Sequence, residues 1–157
     1  MTPAVNSAKK HNIAFTLHQY QHEASSASFG LEAAEKLSVT PEKIFKTLVV
    51  STQDKQLAVA IVPVMQQLDL KAMAKALHCK KVTMADKAQV EKSTGYVLGG
   101  VSPLGQKKNL VTVIDKSCMA LATMFVSGGR RGLEIELAPK DLASLTRAAF
   151  FAISTED

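Results

Sequence analysis

Lys46 opens a run rich in β-branched residues, Lys46 to Ser51, in which strand alternation sets it on the same face as Leu48 and Val50. Those two side chains are expected to point inward, so a cation among them needs a reason. Either its aliphatic stem carries the ammonium out to solvent, or the lysine stands at a cleft mouth and donates to a phosphate, carbonyl or ribose oxygen. A second concentration of chemistry is the segment Gly95 to Lys108, which contains Gly95, Gly99, Gly100 and Gly105 together with Pro103, Lys107 and Lys108. Its glycines allow close backbone approach to a ligand, with N–H groups offered to an oxygen, or they mark an ordinary turn. Gly100 and Gly105 have the Walker A spacing, but Gln106 stands where the lysine should be and no GK[ST] follows, so a phosphate loop of the NTPase type is rejected. The third site is Ser127-Gly128-Gly129-Arg130-Arg131-Gly132, which joins two predicted strands and presents adjacent guanidiniums at a hairpin tip. That tip is a solvated turn or a bidentate phosphate contact. Beyond it Leu133, Ile135 and Leu137 share one strand face, leaving Glu134 and Glu136 on the other, where either can line a cleft.

The familiar catalytic constellations are missing. His18 and His22 are four apart without the HExxH glutamate, and on a strand residues at that spacing sit ~13 Å from each other, so no metal site is expected there. His78 and Cys79 are chain neighbours that point in different directions, a poor dyad. No GxSxG elbow is present. Cys79 and Cys118 are too few for a disulfide framework and lack CxxC spacing, which fits a reducing compartment.

The elements that must position these residues follow from caps and periodicity. Thr2-Pro3 starts a short helix that stops near Asn12, and Ile13 to Tyr20 alternates as a half-buried strand. Ser28 caps a helix over residues 30–37, and Thr40-Pro41 opens a helical turn into Phe45. Lys46 to Ser51 and Leu57 to Val62 form a hairpin closed by Pro63. Asp69 and Asp86 cap two further helices, the second ending near Gly95, with a short strand at Lys80 to Met84 between them. Strands are predicted at Tyr96 to Leu98, Leu110 to Ile114, Met124 to Ser127 and Leu133 to Leu137, then a helix after Pro139 and a strand at Phe150 to Ile153. Helices and strands mix without a βαβ repeat, so the expected fold is a single α+β domain, residues 1–157, built on a mixed, barrel-like sheet with surrounding helices.

Composition bounds the partners. The 157 residues, 46% hydrophobic, suffice for one core. Nineteen Lys and Arg against 14 Asp and Glu give a formal charge of +5, which permits attraction to RNA. Aromatics at 5% and the lack of Trp argue against a binder of stacked single-stranded bases, so phosphate contact by scattered Lys and Arg is the better expectation. The longest apolar run is strand-length, far below the ~18 residues of a membrane span, and Met1-Thr2-Pro3 opens no signal peptide. A cytoplasmic protein with no membrane and no DNA partner is expected.

Several separated motifs, in order and nearly end to end, resemble the YbaK/EbsC family, whose members are similar to the editing domain inserted in bacterial prolyl-tRNA synthetases. They are Met1-Thr2-Pro3-Ala4-Val5, Phe45-Lys46-Thr47-Leu48, Gln67-Leu68-Asp69-Leu70, Ser93-Thr94-Gly95-Tyr96, Gly99 through Lys108 with the family's GxxxP element, and Ser127-Gly128-Gly129 with Arg131-Gly132-Leu133. The free-standing subgroup that deacylates cysteinyl-tRNA(Pro) is the closer likeness. The resemblance implies that Lys46 holds the 3′ end of an acylated tRNA and that Gly99 offers its backbone N–H to the aminoacyl carbonyl. It further implies that Tyr20, Phe29, Thr47 and Ser127 line a cysteine pocket, with Gly100 and Glu134 also at the substrate. Glu134 stands where the resemblance leads one to expect Asp. Lys107, Lys108, Arg130 and Arg131 are the expected phosphate contacts. No cofactor is implied, and prolyl-tRNA synthetase is the implied partner. In this subgroup the substrate's own thiol is thought to attack the ester, which accounts for the missing nucleophile. Deacylation of alanyl-tRNA(Pro), or a non-catalytic module that binds tRNA or a synthetase, are the alternatives.

Overall fold

A computed structural model of the chain describes residues 1–23 and 29–155. Thr2 caps α1 (Pro3–Lys10), its hydroxyl accepting from the Val5 N–H at 3.2 Å while donating to the Gly128 carbonyl at 2.5 Å. One side chain thus starts the helix and straps it to a distant hairpin. β1 (Phe15–Gln19) is shorter at both ends than the alternating run, and α2 (Phe29–Leu37) begins one residue before the predicted helix; the proposed cap Ser28 lies outside the described residues. Thr40 makes no side-chain cap, yet Pro41–Lys43 forms a single 3-10 turn leading into β2 (Phe45–Thr52).

β2 and β3 (Leu57–Pro63) form the expected antiparallel hairpin, in register from Phe45 opposite Pro63 to Ser51 opposite Leu57. β4 (Gln67–Leu68) is followed by α3 (Leu70–Ala76), whose cap Asp69 accepts from the Ala72 N–H at 3.1 Å. β5 (Val82–Met84) leads to α4 (Lys87–Thr94), which starts with a reciprocal capping box between Asp86 and Gln89 and ends at Gly95 with φ +83°. The chain closes with β6 (Val111–Asp115), β7 (Met124–Ser127), β8 (Leu133–Leu137), α5 (Pro139–Thr146), β9 (Ala149–Phe151) and β10 (Ser154–Thr155).

A mixed sheet runs β5-β2-β3-β6-β9, with β6 parallel to both neighbours, and an antiparallel sheet runs β1-β8-β7. β10 pairs with β4 alone. The α+β class therefore holds, but the ladders do not close into a barrel. The two larger sheets instead face each other and meet at an isolated bridge between Ile44 and Phe125. Between them Phe45, Val49, Val59, Ile61 and Ile114 pack against Met124, Val126, Leu133, Ile135 and Leu137 in the main core. The opposite face of the mixed sheet, carrying Val50, Ala58, Ala60 and Val62, is covered by Met73 and Ala74 of α3 and by Ile153.

One predicted strand is absent. Tyr96 to Leu98 forms a turn, because the backbone bonds a strand would have needed are spent locally: Tyr96 N–H on Thr94 Oγ1, Leu98 N–H on Glu91 Oε2, and Gly100 N–H on the Val97 carbonyl. Gly99 at φ +90° completes the reversal. Tyr96 is a buried anchor, its hydroxyl donating to the Leu104 carbonyl at 2.6 Å and so fastening the start of the glycine-rich loop to its middle.

Candidate active site

The strand pairings bring the outer face of the antiparallel sheet to the start of β2. Opposite Glu134 stand His18 on β1 and Ser127 on β7, and directly opposite residues of antiparallel strands share a face. Tyr20, one step past β1, donates its N–H to the Gly132 carbonyl at 2.9 Å and continues that face. Between this surface and the chain from Ile44 to Leu48 lies a cleft of about 370 Å³. Tyr20, Lys46, Thr47, Gly99, Ser127, Arg130, Arg131 and Glu134 all line it, drawn from four separate stretches of sequence.

Gly100 is not among the lining residues; it is buried behind Gly99, against the hairpin tip. Phe29 heads α2, and its side chain lies outside the described residues, although the adjacent Gly30 does line the cleft. Lys107 and Lys108 are exposed and lie away from it; their backbone N–H groups continue past the end of α4, to the Thr94 and Ser93 carbonyls. The four expected phosphate contacts thus divide, with both arginines on the cleft rim and both lysines elsewhere. Ile44, Phe45, Leu48, Val64, Leu98 and Val101 supply apolar wall that motif reasoning passed over. Gly30 carried the available signal: a Cβ there would overlap Val64 Cγ2 at 1.8 Å, so the helix and β3's exit touch only because the residue has no side chain.

Burial disfavours charge on three of the cleft side chains. It pulls the half-buried Lys46 ammonium below its ordinary value. It pushes the Glu134 carboxyl up to about 8. Tyr20 is raised to about 12, by burial first and then by the neighbouring Glu134. Glu136, two residues along the same strand face, shows the contrast: Thr123 Oγ1 donates to it at 2.5 Å and His18 Nε2 lies 2.9 Å away, and these partners hold it below the usual carboxylate range. His18 and His22 serve different carboxylates, Glu136 and Glu32, so their spacing builds no shared site.

Two hydroxyls complete the polar lining. Ser127 Oγ accepts from the Gly129 N–H at 3.1 Å, which leaves its proton to donate. Thr47 Oγ1 is buried and has no partner among the described residues. An unsatisfied buried hydroxyl costs about 1–3 kcal/mol, a cost that a polar group of a ligand in the cleft would relieve. Neither cysteine is near: Cys118 is fully buried in the core, its thiol raised to about 11 by burial and by Asp115, and Cys79 sits beside Lys81.

Residues 25–145 match the sequence profile of the aminoacyl-tRNA editing domain. The chain belongs to that family. It is 37% identical, over 99% of its length and 94% of the relative's, to an Enterococcus faecalis protein described as "Putative Cys-tRNA(Pro)/Cys-tRNA(Cys) deacylase EbsC". It is also 29% identical to Bacillus subtilis YwhH, over 80% of this chain and 79% of that one. Among solved structures, the hypothetical protein APE2540 superposes with a TM-score of 0.88 at 26% identity, covering 98% of this chain and all of the other. A "putative trans-editing enzyme for prolyl tRNA synthetase" superposes at 0.85 with 21% identity, covering 98% and 95%, and shares the fold. The YbaK/EbsC likeness carried by the motifs is thereby borne out.

Two outcomes test this geometry. Glu134 binds its proton up to about pH 8 in the fold but only to about 4.5 when unfolded, so the folded state holds more protons in that window and stability falls as pH rises through it. Denaturant melts of Glu134→Gln against the parent should show the variant losing less stability between those two pH values, with the curves parallel above about 8. Gly100→Ala would place a Cβ 2.9 Å from Arg130 Cα, a backbone atom that cannot swing away. It should cost about 1–3 kcal/mol in the same melts by prising the loop off the hairpin tip.

Proposed function

We propose that this chain is a trans-editing deacylase that clears cysteine mischarged onto proline tRNA, working in the cytoplasm alongside prolyl-tRNA synthetase. The single observation that favours this is the cleft itself, which gathers Lys46, Thr47, Gly99, Ser127 and Tyr20 around a space sized for a small amino acid on a ribose. Membership of the editing family and the printed description of the Enterococcus relative point the same way. Glu134 does the work of the shorter acid the resemblance led one to expect.

Among the described residues, the cleft lining contains no cysteine and no serine–histidine pair, so the nucleophile is assigned to the substrate. The thiolate of the esterified cysteine attacks its own carbonyl carbon. A carbon–sulfur bond forms, the bond to the ribose 3′ oxygen breaks, and that oxygen leaves with the proton the thiol gave up. The product is a four-membered thiolactone, which water opens to free cysteine. Well-oriented intramolecular attack contributes on the order of 7–11 kcal/mol towards the barrier, leaving the protein to hold thiol and carbonyl together and to stabilise the oxyanion. Gly99 N–H serves the oxyanion, and Lys46 binds the 3′ terminal nucleotide. Both act more strongly in a cleft that excludes water. Selectivity follows from chemistry more than from shape, since serine fits a cysteine pocket but its hydroxyl is a far weaker nucleophile.

The test is amino-acid release from Cys-, Ser- and Ala-tRNA(Pro) by the parent and by Lys46→Ala. Cysteine should be released fastest by orders of magnitude, and Lys46→Ala should lower that rate ~100-fold with an unchanged melting curve. Equal rates on cysteine and serine would remove the thiol from the mechanism, and preference for alanine would reassign the substrate.

A further inference from the structure

Behind the cleft rim, the Glu32 side chain of α2 is only 4% exposed, yet it is held as a carboxylate. Burial opposes its ionisation, but the Glu23 N–H at 2.8 Å, His22 Nδ1 at 2.6 Å and Lys36 Nζ at 3.4 Å outweigh that and keep the carboxyl below its ordinary value. The other ring nitrogen, His22 Nε2, lies 3.2 Å from Arg131 Nη1. A guanidinium has donors only, so Nε2 must be the acceptor, and the ring proton sits on Nδ1, where Glu32 receives it. One tautomer satisfies both contacts. The result is a carboxylate–imidazole–guanidinium chain from a buried carboxylate on α2 to an arginine on the cleft rim.

The uncharged ring at the centre of this chain has a specific consequence. Had Arg131 reached Glu32 directly, the pair would have neutralised each other and drawn the guanidinium inward. The imidazole passes on orientation without itself neutralising the guanidinium, and Arg131 is exposed. Rigid second partners of this kind are what fix the direction of a functional group. Resting on the deacylase function proposed above, we infer that His22 is a positioning residue: with Glu32 it holds Arg131 at the cleft mouth to receive a phosphate of the tRNA 3′ end. The guanidinium is suited to that role because it meets phosphate oxygens in a bidentate fork. No motif pointed to this pair, since His22 and Glu32 lie on either side of a connection and belong to no shared pattern.

The experiment compares hydrolysis of cysteinyl-tRNA(Pro) with that of the cysteinyl ester of adenosine, which has the same reacting atoms and no phosphate. His22→Ala and Arg131→Ala should each lower the ratio of kcat/KM for tRNA over adenosine about tenfold, mostly through KM on the tRNA. The double variant should be no worse than Arg131→Ala alone, because His22 acts through the arginine. Arg131→Ala should also reduce the salt slope of the tRNA reaction by about one. A purely structural His22 would lower both substrates alike, or add its loss to that of Arg131→Ala, and either result overturns the inference. A parent that hydrolyses neither ester refutes the deacylase reading instead. Salt-dependent binding of uncharged tRNA then decides the anchoring, which fails unless both single variants weaken binding and the double variant adds nothing.

Discussion

The glycine-rich loop after α4 and the hairpin between β7 and β8 touch through backbone, and the cleft exists because they can. A Cβ on Gly100 would lie 2.9 Å from Arg130 Cα, and one on Gly129 would meet Tyr96 at 2.9 Å and Thr2 at 3.0 Å. At Gly105 the obstruction would be the Pro3 carbonyl, at 2.5 Å. Loop, hairpin and the start of α1 are therefore packed at distances no larger residue permits. Thr2 ties two of these pieces with polar contacts, capping the helix and donating to Gly128 of the hairpin. This clasp sets Gly99 on one wall and Ser127, Arg130 and Arg131 on another, so the geometry of the site is inherited from backbone contact and depends little on flexible side chains.

Within that frame, the same strand gives two carboxyls opposite characters. Glu134 and Glu136 share a face of β8, but Glu136 has a hydroxyl and an imidazole against it, while Glu134 is enclosed among cleft residues with burial alone acting on it. A protonated Glu134 can donate a hydrogen bond, which an ionised one cannot. Lys46 lines the same cleft, and its charge is also disfavoured by burial. A medium that resists both charges is one in which a few fixed N–H and O–H donors act strongly on a developing oxyanion.

Local signals carried the fold a long way. The caps at Thr2, Asp69 and Asp86, the glycine stop at Gly95 and the β2–β3 hairpin were legible because each rests on the chemistry of a few adjacent residues. Tyr96 to Leu98 misled because an apolar triplet between glycines satisfies a strand template, while the N–H groups of Tyr96 and Leu98 and the Val97 carbonyl are claimed by the turn. Sheet closure was illegible for a different reason: whether ladders join depends on pairings between strands more than a hundred residues apart, such as β1 with β8. The cleft fell between these cases. Lys46 declared itself by standing on an inward face, whereas Glu134 and Glu136 were indistinguishable until their neighbours on β1 and β7 were known.

The two layers of the site divide the labour in a way that fits a substrate carrying its own nucleophile. The inner layer, Gly99, Thr47 and Ser127, supplies short, immobile donors, and such groups can select one rotamer of a small side chain without contributing a reactive atom. The rim, Arg130 and Arg131, supplies charge that reaches outward, and charge is effective on a polyanion at distances where hydrogen bonds are not. Lys46 stands between the layers, half-buried, and the partial desolvation of its ammonium makes any oxygen it meets there a stronger partner than at the surface. On the proposed function, discrimination between amino acids would belong to the inner layer and to the reactivity of the substrate's thiol, while Lys46 and the rim would hold the nucleic acid. On that reading, substitutions in the inner layer and at the rim alter substrate choice and tRNA affinity separately, and Lys46 is the residue at which the two meet.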